Sequence, residues 1–432
     1  MTPRSLRVLL VGSGAREHAL ADAVRRSPLL GELHCAPGNP GLATAATCHP
    51  LAAVDVDGLV ALATELRIDL VVVGPEAPLV AGLADGLRGV GVPVFGPGAA
   101  AARLEGSKRF AKDVMAAAGV PTAAARVAAS PEAADAAIEA LGGRVVVKAD
   151  GLAAGKGVVV CDDAAAAREA ARALLRGDLG QAGRTVLVEE RLEGPEVSVL
   201  ALCDGRTAVA LAPAQDHKRI GDGDTGPNTG GMGAYSPVPG VDPEATADIV
   251  DRVHRPVLLE LARRGVHFSG CLYAGLMLTP DGLRVLEFNV RLGDPEAQAI
   301  LPRLDGDLLS RLYDAAVGRL TPEPLPVSAD AAVTVVLASA GYPTAAAEPV
   351  PIDGVEAAAD RPGVAVHHAG TALRDGRLVT AGGRVLTVTA LGASIGAART
   401  RAYDAADRIS FDGLQRRSDI AAGAAGTARD AV

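Results

Sequence analysis

Aromatic residues are scarce in this sequence. They make up 2% of its 432 residues and none is Trp, although 49% of the chain is hydrophobic. Small aliphatic side chains must therefore fill the core, as is expected where sheets and helices pack in alternating layers. With few stacking platforms and a net charge of −9, the composition argues against a nucleic-acid-binding protein.

Cysteines and long apolar runs are limited as well. The five cysteines are odd in number and never spaced as Cys-x-x-Cys, which favours reduced, buried thiols over a disulfide framework. No apolar run approaches the ~20 residues of a membrane span, and residues 8–11 are too short a run for a signal peptide. We therefore expect a soluble, cytoplasmic protein with no membrane partner.

The length and the order of patterns predict several domains. At ~150 residues per domain, the chain of 432 residues should hold about three. Strands, glycine turns and helices up to about residue 100 indicate an open α/β unit. A proline-rich connector at residues 319–326 precedes β-like segments and a helix over residues 394–409, which together predict a small β-rich domain.

A predicted strand over residues 284–291 carries the most informative pattern. Its alternation separates an apolar from a polar face, with Leu286, Phe288 and Val290 against Glu287, Asn289 and Arg291. An acid beside an amide offers oxygen ligands that suit Mg²⁺, and the neighbouring arginine would hold an oxyanion. A sheet with one solvated face is the alternative. The Asp281-Gly282 turn before the strand and the acids Asp294 and Glu296 after it favour the metal site.

A glycine turn follows the first predicted strand, residues 6–11. Gly12 and Gly14 lead into a helix that carries Arg16, and such a helix N-terminus is an anion site because free N–H groups point at it. A dinucleotide fingerprint would need a third glycine where Glu17 stands, which disfavours a Rossmann dehydrogenase and leaves a tight connection as the alternative. Ligands of open α/β sheets bind at the strand C-termini, where this turn, Asn39 and Glu76 fall.

A glycine-rich loop at residues 150–157 joins two predicted strands. A Walker A loop would run into a helix with a different glycine spacing, so the segment is not one. Mobile glycines with one lysine still close over a triphosphate, as the kinase glycine-rich loop does. Eight residues with three glycines and Lys156 exceed what a plain hairpin turn needs, so we expect a lid.

Two later segments offer further contacts. The strand that ends at Glu189 either carries acids that face solvent or forms a purine hinge, in which backbone groups bind adenine and Glu196 accepts from ribose hydroxyls. Residues 215–233 are almost all polar, glycine or proline, so we expect no regular element there, and so long a loop is usually functional or disordered. Its Lys218 and Arg219 would grip an anionic substrate if the loop is not merely solvated.

In this order the motifs resemble the ATP-grasp ligases, and among them the phosphoribosylamine–glycine ligase (glycinamide ribonucleotide synthetase) family. The match runs nearly end to end, over residues 12–19, 74–79, 108–112, 148–157, 215–219, 228–236, 272–277, 287–298 and, in outline, 380–386. Each stretch alone is modest, but their order is highly specific.

The resemblance implies the α/β fold class, and within it the α+β arrangement of the ATP-grasp enzymes. An N-terminal open parallel-sheet domain for phosphoribosylamine would span residues 1–103, and a two-part ATP-grasp core would span residues 104–325, with a small lid subdomain inserted at 124–196. A β-rich C-terminal domain would occupy residues 326–432.

The resemblance also implies an ATP-dependent carboxylate–amine ligase of de novo purine biosynthesis. Glycine would attack the γ-phosphate of ATP, and the amine of 5-phosphoribosylamine would displace phosphate from glycyl phosphate, giving glycinamide ribonucleotide, ADP and phosphate. Because carboxylate and triphosphate are both anions, cations must lie between them, here Mg²⁺ or Mn²⁺. The expected partners are these small molecules, and the expected state is a monomer or weak homo-oligomer.

Family members bind their ligands with residues that this sequence shares. ATP would contact Lys108, Lys148, Gly151, Gly155, Lys156, Gly157, Glu189, Glu190, Leu192 and Glu196. The divalent ion would be held by Glu287 and Asn289. Phosphoribosylamine would be bound by Gly12, Gly14, Arg16, Glu17, Asn39 and Glu76. The catalytic set would be Arg291 at the transferring phosphoryl group, with Asp216 and Asp294 near glycine.

Departures from the family and rival functions bear on this hypothesis. The strand before Glu287 carries no further acid, so we expect two protein ligands, with phosphates and water completing the metal site. The nearest rival is an ATP-grasp ligase that activates formate or bicarbonate, and residues 216–219 with the turn at Gly293 favour glycine instead. A non-catalytic ATP-binding scaffold would need neither Glu287 nor Asn289.

Overall fold

The computed structural model describes residues 5–153, 157–177, 183–345 and 347–426, so that Gly155 and Lys156 of the predicted lid lie outside the described residues. The first elements, in chain order, are β1 (Leu6–Gly12), α1 (Ala15–Val24), β2 (Leu30–Pro37), β3 (Thr47–Cys48), α2 (Val56–Glu65), β4 (Leu70–Val73), α3 (Glu76–Val80), α4 (Leu83–Gly89), β5 (Val94–Phe95), α5 (Ala99–Gly106) and α6 (Lys108–Ala118). The predicted strands at residues 6–11 and 70–73 are confirmed. The helical pattern from residue 99 onward is interrupted at Ser107, whose side chain caps α6.

The N-terminal strands form one open parallel sheet in the order β3-β2-β1-β4-β5. The strand β4 is buried along its whole length, as is expected when helices cover both faces of a parallel sheet. The chain leaves the sheet in opposite directions from β1 and β4, and ligands bind in the crevice at such a switch point. Gly12 ends β1 and Gly74 follows β4, so the predicted glycine turn lies in this crevice.

A second, antiparallel sheet lies between residues 125 and 190. Its elements are β6 (Ala125–Ala128), α7 (Pro131–Ala140), β7 (Val145–Ala149), β8 (Val158–Val160), α8 (Ala164–Leu175) and β9 (Val186–Glu190), with the strand order β6-β9-β7-β8. Alanines of the two helices pack with Ile138, Val147 and Val188 into a separate small core. The sheet therefore forms a unit of its own, and its β7–β8 connection is the predicted glycine-rich loop.

The central elements are β10 (Glu196–Cys203), β11 (Ala208–Ala210), β12 (Gln215–Asp216), β13 (Arg219–Gly221), β14 (Thr225–Asn228), β15 (Gly233–Ser236), α9 (Pro243–Ile249), α10 (Arg255–Arg263), β16 (Gly270–Thr279), β17 (Gly282–Asn289), α11 (Glu296–Ile300) and α12 (Leu308–Ala316). The central antiparallel sheet has the order β11-β10-β16-β17. Its edge strand β17 contains the predicted metal ligands and follows β16 through a tight turn at residues 279–282.

A β-bulge interrupts β17 at Leu286. Glu287 pairs with Gly275 and Val285 with Leu276, so Leu286 has no partner in the ladder. A bulge exchanges the two faces of a strand, and accordingly Val285 and Phe288 are buried in the core whereas Leu286 is not. The prediction that Leu286 shares the apolar face of Phe288 is therefore wrong, because a two-residue alternation does not account for the extra residue of a bulge.

The C-terminal elements are β18 (Ala331–Ala338), α13 (Val355–Ala359), β19 (Val364–His368), β20 (Thr371–Arg374), β21 (Arg377–Thr380), β22 (Arg384–Gly392), α14 (Ile395–Ala406) and α15 (Ala422–Gly426). Five strands form one sheet in the order β12-β15-β18-β22-β19. Two of these strands, β12 and β15, come from residues 215–233 and their flank, and β13 pairs with β14 nearby. The expectation of no regular element there is wrong, because backbone pairing with distant strands needs no apolar pattern.

The cysteines and helices agree with the composition. All five cysteines are free thiols, with Cys48 half-buried and the others buried. Across the described ranges, no helix has both the length and the apolar character needed to cross a lipid bilayer.

Candidate active site

Two adjoining cavities lie between the central sheet, the N-terminal crevice and the antiparallel sheet of β6, β7, β8 and β9, which we call the lid sheet. A cavity of about 180 Å³ is lined by Glu76, Lys108, Gly151, Gly157, Asn289 and Arg291, among others. A larger one of about 520 Å³ is lined by Lys148, Glu190, Leu192 and Glu196. Glu189, Asp216 and Glu287 line both cavities. The structure therefore brings residues from widely separated stretches of the sequence to one place.

The bulge in β17 places Leu286 and Glu287 side by side in the walls of both cavities. Glu287 forms no ion pair with any described residue. The Asn289 amide finds partners when its nitrogen faces Glu105 Oε1 at 3.0 Å and the carbonyl of Phe288 at 3.3 Å, which turns Oδ1 away from them. One carboxylate without a counter-ion and one amide oxygen form the kind of small oxygen set that Mg²⁺ accepts when phosphates and water complete its shell.

No cluster of three or more His, Cys, Asp or Glu side chains suited to a metal ion is found among the residues described.

Arg291 lies at the end of this polar row and is held by two acids. Its Nη2 donates to Glu105 Oε1 at 2.8 Å and its Nε to Glu76 Oε2 at 3.2 Å. Burial lowers the pKa of the guanidinium, but the two carboxylates outweigh burial and the pKa stands above its usual value. The arginine stays charged under all ordinary conditions, which an oxyanion-stabilising group requires.

Two lysines of the predicted phosphate site lie next to the start of the glycine-rich loop. Lys108 Nζ donates to the carbonyl of Gly151 at 3.1 Å. Lys148 Nζ contacts Glu189 Oε2 at 2.9 Å and the carbonyl of Leu286 at 3.0 Å. Both amines therefore lie beside the cavities, and Lys148 links the lid strand β7 to the bulge of β17.

The predicted hinge borders the larger cavity. Glu189 is buried and its carboxylate is bound by Lys148 and, at 3.3 Å, by Lys112. Glu190 accepts from the backbone N–H of Ala124 at 3.2 Å, and Leu192 lies in the same wall. Because the Glu189 carboxylate is occupied, only the backbone of this strand is left to bind a purine edge.

Lys218 lines both cavities and is held there by two acids. Its Nζ contacts Glu196 Oε2 and Asp216 Oδ1, both at 2.8 Å, while Arg219 donates within its own hairpin to the carbonyl of Gly226. Burial lowers the pKa of Lys218, but Asp216 and Glu196 raise it well above the usual value. Lys218 thus neutralises two acids of the site, whereas Arg219 stabilises its own hairpin.

In the N-terminal crevice, an internal carboxylate occupies the glycine turn. Glu17 Oε2 accepts the N–H of Gly14 at 2.6 Å, and Arg16 Nε donates to Glu17 Oε1 at 2.7 Å. A methyl group added at Gly12 or Gly74 would lie 2.6 or 2.0 Å from the Glu17 side chain. Glycine is needed at these positions because the Glu17 side chain folds back over them. Glu17 itself stands where a dinucleotide fingerprint would have its third glycine.

The glycine turn is joined by hydrogen bonds to the segment that follows β17. Arg16 Nη1 donates to the carbonyl of Leu292 at 3.0 Å, and Glu76 binds Arg291 as described. Asn39 Nδ2 donates to the carbonyls of Ser13 and His368, both at 2.8 Å. All predicted phosphoribosylamine contacts are thus gathered at the crevice, within reach of the cavity that Arg291 lines.

The sequence analysis did not single out three residues of the site: Glu105, Arg384 and Tyr273. Glu105 is buried at the end of α5, accepts the N–H of Val290 at 2.8 Å, and has its pKa raised to about 7, chiefly by burial. Arg384 reaches from β22 to Asp294 Oδ2 at 2.7 Å. No local motif marks these side chains, although Arg384 lies in a segment that resembles the family and Glu105 is an isolated acid in an alanine-rich helix.

Two sheets that face each other across a nucleotide-sized cavity, one with Lys148 and one with the pair Glu287 and Asn289, define an ATP-grasp enzyme. A solved biotin carboxylase–β,γ-ATP complex from Campylobacter jejuni shares this fold, with a TM-score of 0.73 over 95% of this chain and 92% of that one at 15% identity. At that identity the likeness shows the fold alone.

The family follows from closer matches. The phosphoribosylglycinamide synthetase models match in succession: the N domain at residues 6–105, the ATP-grasp (A) domain at 106–297 and the C domain at 332–423. The chain belongs to the phosphoribosylglycinamide synthetase family of ATP-grasp ligases. This confirms the predicted family, fold class and ligase activity and decides against the dehydrogenase.

Individual relatives agree over almost the whole length. The chain is 55% identical to a phosphoribosylamine–glycine ligase of Streptomyces coelicolor, over 98% of this chain and 100% of that one. It is 50% identical to one of Agrobacterium fabrum, over 96% and 98%. A crystal structure of phosphoribosylamine–glycine ligase from Thermotoga maritima has a TM-score of 0.83 at 35% identity and covers 96% of this chain and 100% of that chain.

Proposed function

We propose that the chain uses ATP to join glycine to 5-phosphoribosylamine, giving glycinamide ribonucleotide, ADP and phosphate for purine biosynthesis. The observation that carries this proposal is the position of Arg291. It lines the smaller cavity, which adjoins the larger one that suits a nucleotide, and it contacts Glu76 in the N-terminal crevice, where the residues predicted to bind phosphoribosylamine lie. A ligase that activates one substrate and transfers it to another needs such a junction.

The reaction has two balanced steps. A carboxylate oxygen of glycine attacks the γ-phosphorus of ATP, the bond to the β,γ-bridging oxygen breaks, and ADP leaves with the electron pair. The nitrogen of phosphoribosylamine then attacks the carbonyl carbon of glycyl phosphate, the carbon–oxygen bond to phosphate breaks, and the new amide nitrogen loses a proton. Both steps bring anions together, so the protein must supply positive charge.

For the first step, we assign the positive charge to the two lysines and the metal ligands. Lys108 and Lys148 would contact the phosphates, and Gly151 and Gly157 would cover them. Glu287 and Asn289 would hold Mg²⁺ or Mn²⁺, which would supply positive charge against the phosphates. Two observations support this role: Glu287 forms no ion pair with a described residue, and the Asn289 nitrogen takes the contacts to Glu105 and Phe288, which turns its oxygen away from them.

For nucleotide recognition, we assign the larger cavity to adenine and ribose. The backbone of residues 189–192 would bind the purine edge, because the Glu189 side chain is engaged by lysines. Glu196 lines the same cavity and would accept from ribose hydroxyls, exchanging part of its contact with Lys218.

For the second step, we assign the amine acceptor to the crevice. Arg16 and the N-terminus of α1 supply positive charge for the phosphate of phosphoribosylamine. The carboxylates of Glu17 and Glu76, with the Asn39 amide, are acceptors and donors suited to its hydroxyl and amine groups. Arg291 would stabilise the charge of the acyl phosphate, with Asp294 and Asp216 flanking glycine.

We further propose the domain division of residues 1–103, 104–325 with a lid at 124–196, and 326–432, in a cytoplasmic monomer or weak homo-oligomer. Separate cores in the lid and in the C-terminal sheet support the division. Free thiols in the described residues are typical of a reducing compartment.

The test is ADP release measured with a panel of amino acids, with and without phosphoribosylamine. We expect full turnover only with glycine and phosphoribosylamine together. Turnover that is equal with alanine or serine, or that needs formate or bicarbonate instead, would refute the assignment of substrate.

A further inference from the structure

The carboxylates around the smaller cavity differ in whether they have a counter-ion. Among the described residues, the cavity is lined by seven: Glu76, Glu105, Glu189, Asp216, Glu287, Asp294 and Glu296. Five of them contact a lysine or arginine, with nearest distances from 2.7 to 3.2 Å. Only Glu287 and Glu296 form no ion pair with any residue that the structure describes.

Glu296 is the more deeply buried of the two, at 3% exposed. Ser198 Oγ donates to its Oε1 at 3.2 Å, and Ser198 is itself hydrogen-bonded to Tyr273 at 2.9 Å. Burial, followed by the charge of Asp216, raises the pKa of Glu296 to about 7. A buried carboxylate that accepts from a hydroxyl and forms no ion pair with a described residue is costly to ionise, and a cation bound directly to it would offset that cost.

The location of Glu296 narrows the identity of this cation. A methyl group at Gly293 would lie 2.4 Å from Glu296 Oε2, so the carboxylate packs on the turn after Arg291. Asp216, whose charge reaches Glu296, lines the same cavity. Glycine is expected between this turn and Asp216. Glu287 is assigned to the divalent ion, which leaves Glu296 for the one remaining cationic group among the substrates.

We propose that Glu296 binds the ammonium group of glycine and thereby orients the glycine carboxylate for reaction. The inference rests on the proposed function, since it takes glycine as the substrate. An ammonium group fixed at one end of glycine sets the direction of the carboxylate at its other end, while Ser198 and Tyr273 hold the Glu296 carboxylate in place.

A structural role for Glu296 makes a different prediction. It stands in the first turn of α11, where an acid is favoured by the helix N-terminus. Loss of that interaction would weaken the fold or the turn, and would affect every ligand of the cavity alike. Loss of an ammonium site affects only ligands that carry an amine.

The test compares glycine with glycolate, which has a hydroxyl group in place of the ammonium group. ADP release is measured with glycine as substrate and glycolate as inhibitor, for the wild type and Glu296→Gln. We expect the KM for glycine to rise about 100-fold, as for loss of a buried charge pair, while the inhibition constant for glycolate and the KM for ATP stay within threefold. Equal changes for glycine and glycolate, or no change for glycine, would overturn the proposal.

Controls separate this proposal from its premises. Glu260→Gln removes a buried acid outside the cavity, paired with Arg263 and Arg264, and should leave the KM for glycine unchanged. If Glu296→Gln does not fold, Ser198→Ala carries the test: the KM for glycine should rise severalfold and the glycolate constant should not, and parallel changes would overturn the proposal. Absence of glycine-dependent turnover in the wild type would instead refute the proposed function.

Discussion

Arg384 Nη2 donates to Asp294 Oδ2 at 2.7 Å, and Arg384 Nη1 contacts the backbone carbonyls of Asp294 at 2.8 Å and Gly230. One side chain of β22 therefore holds both the turn that follows β17 and the loop that precedes β15. Burial raises the pKa of Asp294, but Arg384 and Arg16 outweigh it and keep the pKa below its usual value.

Arg384→Ala should weaken both catalysis and stability. Asp294 would be left buried without its main cation, which costs about 2–3 kcal/mol when one partner of a largely buried pair is removed. We expect a fall in kcat of at least tenfold and a lower urea midpoint. The double variant Arg384→Ala/Asp294→Asn should recover part of the lost stability, because the two residues interact directly. Strictly additive losses of stability would show that the pair is not coupled.

Glu287→Ala should abolish ATP turnover, because the divalent ion would lose its only charged protein ligand. ADP release is the measurement, repeated at rising Mg²⁺ and Mn²⁺ concentrations. Glu287→Gln keeps the shape of the side chain and should be similarly inactive, whereas Arg284→Ala on the same strand should not be. Activity of Glu287→Ala within about tenfold of wild type, or roughly 1.4 kcal/mol of barrier, would contradict the assignment.

Arg16→Ala should raise the KM for phosphoribosylamine more than the KM for ATP. The Arg16 guanidinium lies in the crevice and donates to the carbonyl of Leu292, just after β17. Arg26→Ala is a matched control, because Arg26 donates to the carbonyl of Leu301 at 2.9 Å from outside the crevice. If Arg16→Ala raises both KM values equally, the two substrates do not occupy separate sites.

Stability should decrease as the pH falls below about 6.5, in part because of His18. Its Nδ1 accepts the N–H of His368 at 2.9 Å, and burial, followed by the charge of His367, lowers the pKa of His18 to about 3. Between these pKa values the unfolded chain binds more protons than the folded one, so the contribution is full above pH 6.5 and is lost toward pH 3.

The change is at most about 1.4 kcal/mol per pH unit for one proton. Urea unfolding at pH 5, 6, 7 and 8 would measure it. His18→Gln should flatten the slope more than His49→Gln, whose ring is only half-buried. Identical slopes in both variants would exclude His18 as the titrating group.

Local patterns predicted the elements that are local in origin. The strands at residues 6–11 and 70–73 are continuous apolar runs next to glycine turns, and both were placed within one residue of the observed bounds. The strand β17 was also located correctly, but its faces were not, because a bulge depends on how the neighbouring strand pairs. The pairing of β12 and β15 with β18 is equally non-local.

The same distinction applies to the site. Glu287, Asn289 and Arg291 were found because two-residue spacing on a strand is visible in the sequence. Glu105 and Arg384 come from an alanine-rich helix and a C-terminal strand, and only the packing of distant segments brings them to Arg291 and Asp294. Their roles as counter-ions become apparent when the charges around the cavity are paired in three dimensions.

The shared sheet β12-β15-β18-β22-β19 has a consequence for how the protein can be divided. A chain cut after residue 325 would strip β15 of its neighbour β18 and expose a row of unpaired backbone groups beside Asp216. Open strand edges of this kind pair with other molecules. Such a fragment should self-associate and bind nucleotide poorly, because β18 supports the strands that hold Asp216 at the cavities.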